Sequence, residues 1–382
     1  MLGPPLTKDG DSLRDAYLES ASRAEGSSDF GATDFIEPLD IMLGDLVRRA
    51  QLTAFGHLLT RYYLRQILRM RLKIQRAGAF TESRIKRPIF ILGLPRTGTT
   101  LLHELLSQHD DLRAPTFHES HHYPNDNWRD PFAKTLTHAQ LLVVGKLAPA
   151  FKQIHELRAY GPHECVSIQG YALRSMQFHV AFRLPLYNQW MMSNFDWAPA
   201  YRMHDQYLSQ LTQSGERWIL KAPGHMLGLN ALIEHYPDAL FIQTHRDPLE
   251  VIPSMASLTL SLRRMASRDL RPKEIGHDVN ELWHKGISTV LGARKADPTI
   301  DARFFDVHYQ DFVNNPVNTL ADIAQFTGIG WQPHDAQSVH AYLEANPRHQ
   351  HGAHIYDLEQ FHLERGTLRD MYREYQLTHL QR

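Results

Sequence analysis

Residues 87–109 read RPIFILGLPRTGTTLLHELLSQH, and the order of residue types in this stretch decides the fold. Ile89 to Leu92 is a short unbroken apolar run, the pattern of a buried strand. Gly93-Leu94-Pro95-Arg96-Thr97-Gly98 interrupts it as a turn, and Leu101, Leu102, Leu105 and Leu106 then recur on one face of a helix. A glycine-bearing turn between strand and helix exposes backbone N–H groups beside the positive helix end, and together these hold phosphate oxygens. The two glycines have the spacing of a nucleotide-triphosphate loop, yet Thr99 stands where that motif places its lysine. The basic group sits inside the turn instead, at Arg96, with hydroxyls at Thr97, Thr99 and Thr100. The competing reading is a tight turn without a ligand; Arg96 and the hydroxyls at the helix start weigh against it.

A second unit runs from Trp218 to Leu220, through Lys221-Ala222-Pro223-Gly224, into a helix ending near His235 and a strand from Ala239 to Gln243. That order is a right-handed βαβ crossover. Phe304 to Val307 gives another strand, and the helix after it starts at Pro316 and closes at Gly328. These units predict an α/β fold, a P-loop-type parallel sheet flanked by helices. Residues 1–38, rich in Gly, Ser, Asp and Pro, are expected to form a loosely held arm with at most one short helix. Residues 39–85 read as a helical N-terminal segment, and residues 86–382 as the α/β domain. Within that domain, residues from about 120 to 215 are aromatic-rich without strand alternation. They are expected to be a helical insert roofing an acceptor pocket, with Tyr160, Glu164, Phe178, Tyr187, Trp190 and Trp197 among its residues.

Lys plus Arg number 41 against 42 Asp plus Glu, so no global basic field favours a nucleic-acid partner. Between Leu46 and Thr81, however, eight Lys or Arg occur with no acid, and Arg61, Arg65 and Arg69 run beside Leu64, Leu68 and Leu72. The run reads as a solvated helix face; peripheral contact with an anionic membrane, or with an anionic substrate, is the alternative. Cys165 is the only cysteine, which excludes an intrachain disulfide framework and suits a reducing compartment. The N-terminus lacks the layout of a secretory signal, and no apolar run approaches the roughly 20 residues that span a bilayer. A soluble, cytoplasmic protein is expected.

The strand from Ala239 runs into Thr244-His245-Arg246-Asp247-Pro248-Leu249-Glu250, where an NTPase would place a metal-binding acid. Asp247, Pro248 and Glu250 have the layout of helix N-cap, N1 and N3, which leaves Arg246 for an anion and Ser254 one to two turns along the same helix. A phosphate loop with Arg in place of the late Lys, followed by Arg-Asp-Pro and a Ser eight residues after the Arg, resembles the sulfotransferases that use 3′-phosphoadenosine 5′-phosphosulfate (PAPS). The bacterial branch related to tyrosylprotein sulfotransferases is the nearest likeness. The resemblance implies that Pro95, Arg96, Thr97, Gly98, Thr99 and Thr100 hold the 5′-phosphosulfate end, and that Arg246 and Ser254 hold the 3′-phosphate. It also implies metal-independent transfer, with adenosine 3′,5′-bisphosphate as product; the aromatic residues of the insert suggest room for a small-molecule or lipid acceptor.

Sulfuryl transfer needs a group to take the acceptor's proton, and Glu119, five residues before Pro124, is the expected base, with His118, His121 and His122 as rivals. It also needs a cation where charge builds on the departing nucleotide, and Lys221 at a strand end fits, joined by Arg96 and more weakly by His225. The resemblance also implies a role at the 3′-phosphate for the basic, glycine-bearing Arg348-His349-Gln350-His351-Gly352, for which a plain loop is the alternative. The alternatives are a magnesium-dependent kinase or NTPase, weakened by the missing loop lysine, and a nucleotide-binding module without turnover. A metal site in the His-rich runs is disfavoured, since neither carries the paired helical His of a zincin.

Overall fold

Among the described residues, three α-helices precede the first strand: α1 (Asp11–Glu25), α2 (Ile36–Arg48) and α3 (Ala54–Arg76). This computed structural model describes residues 2–6, 10–123, 135, 158–193, 195–213, 215–346 and 358–380. The loose arm expected over residues 1–38 is corrected by α1, a 15-residue helix whose Leu13, Tyr17 and Ala21, four apart, are buried. The basic run explains why it is held. Arg61 donates to Gly3 O (2.9 Å), Arg65 to Ser20 Oγ (3.1 Å), Arg69 to Glu25 (2.5 Å) and Arg71 to Phe30 O (2.7 Å) and Ala32 O (2.8 Å). The arginine row of α3 therefore clamps the N-terminal segment. Its partners lie 39 to 58 residues away, beyond the reach of local composition.

The chain then forms β1 (Ile89–Gly93), α4 (Thr99–Leu106) and the two-residue β2 (Leu112–Arg113), an edge strand too short for any sequence pattern. The described part of the insert holds α5 (Val166–Gln169), α6 (Met176–Ala181), α7 (Pro185–Met192) and α8 (Ala198–Leu211). β3 (Arg217–Lys221), α9 (Leu229–His235) and β4 (Leu240–His245) follow as the expected βαβ unit. Two long helices come next, α10 (Pro248–Ala266) and α11 (Pro272–Ala296), then the short α12 (Pro298–Asp301) and β5 (Phe304–His308). The chain continues through α13 (Tyr309–Asn314), α14 (Pro316–Thr327) and α15 (Pro333–Ala345), and the described residues end with α16 (Arg365–Met371) and α17 (Arg373–His379).

The five strands are parallel in the order β2-β3-β1-β4-β5, which puts the turn after β1 at the middle of the sheet's C-terminal edge. Side chains alternate across the sheet and divide the core. Phe90, Leu92, Trp218, Leu220 and Phe241 pack with the N-terminal and insert helices, whereas Ile89, Ile91, Ile219 and Ile242 pack with α4 and α14. Phe178, Tyr187 and Trp197 belong to the first of these cores, so this part of the expected pocket roof is packing, while Tyr160 is exposed. Among the described residues no helix is long and apolar enough to cross a membrane.

α3 docks on α10 through a glycine contact: a Cβ on Gly56 would lie 2.0 Å from Ala266 O. Gly56→Ala is expected to lower stability by about 1–2 kcal/mol, because overpacking against backbone outweighs the gain of about 1 kcal/mol in helix propensity. Chemical denaturation reads this, and an unchanged or raised midpoint would contradict the close contact.

Candidate functional site

The turn after β1 is shaped by three left-handed residues and braced from β4. Gly93 has φ 135°, and a Cβ there would meet Thr244 Oγ1 at 2.5 Å and Thr244 O at 2.6 Å. Gly98 caps α4 at φ 85°. Arg96 lies between them at φ 66°, a conformation that costs a non-glycine residue about 1–3 kcal/mol and recurs in ligand-gripping loops. Thr97 Oγ1 bonds Leu94 O and Thr244 Oγ1, each at 2.5 Å, so this hydroxyl ties the turn to β4 and does not project from it. Pro95, Thr97 and Thr99 are buried, and Arg96, Gly98 and Thr100 are partly exposed.

Lys221 ends β3 beside Ile91 of β1 and is 1% exposed. Its ammonium donates to Thr100 Oγ1 (3.2 Å) and to the Glu164 carboxylate. Cys165 N donates to Lys221 O (2.9 Å), which pins the Glu164 segment to the strand end. Burial, and next the Lys221 charge, pushes the neighbouring His103 down to about 3, while burial raises the Cys165 thiol to about 12 and keeps it inert. The carboxylate that sequence reasoning reserved for the pocket roof thus stands on the lysine it assigned to the site.

Glu119, the expected base, lies partly exposed in the segment after β2. One of its oxygens accepts from Arg113 (2.7 Å); the other accepts from Thr116 N (2.9 Å) and Thr116 Oγ1 (3.0 Å). Glu119 N donates back to Thr116 Oγ1 (3.1 Å), so the Thr-x-x-Glu stretch is a reciprocal capping box. Arg113 in turn pairs with Glu216 and lies 4.6 Å over the Trp218 ring. The neighbouring histidines are packed as rings: His118 and His122 stack at 4.8 Å, and His121 stacks on Phe117 at 4.1 Å and is pushed by burial down to about 4. His225 is buried against Phe90 and Tyr201, its pKa far below normal through burial, and belongs to the core.

Arg246 reaches the phosphate turn directly. Its guanidinium donates to Arg96 O (3.0 Å) and to Glu250 (2.7 and 2.9 Å), and lies 4.5 Å over the Tyr309 ring. Asp247 is the N-cap, with Pro248 following, as the spacing predicts, whereas Glu250 turns to Arg246 and not to the cap. Ser254 is buried on α10. The support behind Arg246 was missed from sequence. His245 bonds Asp306 (2.8 Å) and Tyr375 OH (3.1 Å), Arg294 grips both oxygens of Asp306 (2.7 and 2.8 Å), and Gln376 donates to Asp247 (3.1 Å). Ligand-type atoms of His245, Asp306 and His379 lie within 4.8 Å of one another, but the Arg294 fork occupies that carboxylate. The Arg348–Gly352 loop lies outside the described residues.

A parallel sheet with a glycine-bearing turn that leads from its central strand into a helix defines an α/β protein of the phosphate-loop class. Residues 88–333 match the model of the sulfotransferase family, and the chain belongs to that family. The omega-hydroxy-beta-dihydromenaquinone-9 sulfotransferase Stf3 of Mycobacterium tuberculosis is 30% identical over 264 residues, 64% of this chain. That match spans 63% of the relative's own length. The crystal structure of sulfotransferase STF1 from Mycobacterium tuberculosis superposes with a TM-score of 0.79 at 29% identity, covering 94% of this chain and 98% of that one. STF9 from Mycobacterium avium gives 0.85 at 22% identity, over 97% and 98%, and bears on the fold alone.

Asp306 supplies a pH-dependent test of this backing. Burial would raise its pKa, but Arg294 and His245 hold it far below the usual carboxylate range. A carboxyl depressed in the folded state contributes stability above its unfolded pKa of about 4 and loses it as pH falls below that value. Asp306→Asn is expected to cost about 2–3 kcal/mol at pH 7, with the gap to wild type closing as the pH is lowered below about 4. A gap of constant size in urea melts across that range would count against the pairing.

Proposed function

We propose that the chain transfers a sulfuryl group from PAPS to a hydroxyl, or an amine, of a small-molecule or lipid-like acceptor. The observation that carries this reading is Lys221, a buried ammonium held between Thr100 at the head of the loop helix and the Glu164 carboxylate. The donor set fits the nucleotide. The turn from Pro95 to Thr100 and Arg96 would hold the 5′-phosphosulfate end, and Arg246 with Ser254 the ribose 3′-phosphate. When bound, PAPS supplies an electrophilic sulfur and a phosphate leaving group. Lys221 is suited to offset charge at the leaving oxygen, because its low-dielectric surroundings strengthen that interaction.

Glu164 is the second carboxylate to weigh for the acceptor's proton, on its location beside Lys221 and Thr100 at the head of the loop helix; it is ion-paired there, as Glu119 is with Arg113. Glu119, whose oxygens already serve Arg113 and Thr116, is better suited to positioning the segment after β2. Lys221 and Arg96 supply positive charge that the magnesium-dependent reading would assign to a metal, and Thr244-His245-Arg246 offers no acid at the end of β4. The Mycobacterium tuberculosis relative is by its name a sulfotransferase for a hydroxylated menaquinone, which supports a lipid-like hydroxyl acceptor here.

Calorimetry is expected to show binding of adenosine 3′,5′-bisphosphate in preference to Mg·ATP, and the reverse preference would overturn the reading. Arg246→Ala is expected to weaken the bisphosphate about 10- to 100-fold, the worth of a charge-assisted hydrogen bond to phosphate. Glu164→Gln is expected to lower kcat by about 10²–10⁴ while bisphosphate affinity holds or improves, because Lys221 loses a competing anion. Glu119→Gln is expected to lower the melting temperature more than kcat. Abolished turnover in a folded Glu119→Gln enzyme, with Glu164→Gln active, would return the base to Glu119.

A further inference from the structure

His103 is the one ionisable side chain that α4 buries, among Thr99, Leu102, Leu105 and Leu106. It follows Thr100 by three positions and precedes Glu104, so three successive contacts leave one face of that helix. Thr100 Oγ1 accepts from Lys221 (3.2 Å), His103 Nε2 bonds Ile219 O (3.2 Å), and Glu104 pairs with Arg158 (3.0 Å). A carbonyl can only accept, so Nε2 carries the proton of the imidazole. Burial, and next the Lys221 charge, hold the ring down to about 3, so this donor is neutral at neutral pH and adds no second positive charge beside the lysine. With Nε2 committed and the ring so weakly basic, His103 is unsuited to taking the acceptor's proton.

The bond falls at a gap in the sheet. β2 pairs with β3 only at Arg217 and Trp218, so among the described residues the edge of β3 from Ile219 to Lys221 has no strand beside it. A buried strand carbonyl whose neighbouring strand has ended must find its donor elsewhere. Two groups from other parts of the chain supply donors there, His103 at Ile219 O and Cys165 N at Lys221 O (2.9 Å). The helix that holds the lysine's ammonium through Thr100 therefore also holds the lysine's strand, through His103.

We propose that His103 is a positioning residue for Lys221: its Nε2–H fixes Ile219 O at the open edge of β3 and so sets the ammonium at the head of the loop helix. The consequence for the nucleotide rests on the sulfuryl-transfer reading, whereas the fixing of the strand end does not.

Cys165, the only cysteine, reports on that strand end, because its thiol is buried and its amide bonds Lys221 O. Its alkylation by N-ethylmaleimide is compared in wild type, in His103→Leu, which fills the space without a donor, and in His103→Gln, whose amide nitrogen stands near the place of Nε2. Alkylation is expected to speed about tenfold in His103→Leu, the worth of one buried hydrogen bond, and to return towards the wild-type rate in His103→Gln. Equal rates in all three, or equal acceleration in both variants, would overturn the proposal. Should His103→Leu fail to fold, His103→Asn, too short to reach Ile219 O, replaces it with the same expectations.

Calorimetry with adenosine 3′,5′-bisphosphate separates positioning of the lysine from general loosening. His103→Leu is expected to weaken the bisphosphate about 3- to 10-fold in the wild-type background and to change nothing further in Lys221→Met, since it acts through that lysine. Equal losses in both backgrounds would refute the link to Lys221. A wild type that does not bind the bisphosphate would remove the nucleotide reading alone, and the alkylation rates then decide the role of His103.

Discussion

A buried ammonium is tolerable only beside groups that replace its water, and that constraint at Lys221 organises the centre of this protein. The lysine ends the strand next to the central one, and the two groups it contacts come from different parts of the chain, Thr100 from the loop helix and Glu164 from the insert. Each contact fixes an element. Through Thr100 the phosphate turn is registered against β3, and through Glu164 the insert is drawn over the sheet edge, assisted by the backbone bond from Cys165 to Lys221. A charge set at that junction acts in a dry environment, where it is worth far more than at a surface.

The second basic group of the site is held by other means. Arg246 is partly exposed, and its aim depends on the rigidity of the turn that carries it. Asp306, Arg294, Tyr375 and Gln376 grip the residues on either side of it, so β5, α11 and the C-terminal helix α17 all bear on one guanidinium. Since Arg246 also bonds Arg96 O, the two arginines form one mechanically linked unit. A positioned fork loses less freedom when it binds than a mobile one does.

Arginines in this chain take three distinct roles that net charge conceals. Those of α3 clamp the N-terminal helix; Arg246 and Arg96 line the phosphate turn; Arg294 braces Asp306 behind it. The overall balance of 41 basic and 42 acidic residues is the sum of these local excesses and their acidic counterparts. Composition therefore excludes a uniform field but says nothing about sites.

Local signals determined what short stretches do. The apolar run at Ile89, the glycines at 93 and 98, the Asp247-Pro248 cap and the Gly328 stop each act within a few residues, so β1, β3, β4 and β5, the glycine turn and the parallel α/β class were legible from the sequence alone. Tertiary structure decided whatever depends on partners far along the chain. Read as letters, Glu119 is the expected base and Glu164 a residue of the pocket roof; only folding shows the first closing a capping box with Thr116 and the second meeting a lysine 57 residues away. The same holds for α1, whose anchoring arginines lie on another helix, and for β2, whose two residues become a strand only because β3 supplies hydrogen-bond partners. A carboxylate's role is set by what surrounds it in space, and chain neighbours are a small part of that surrounding.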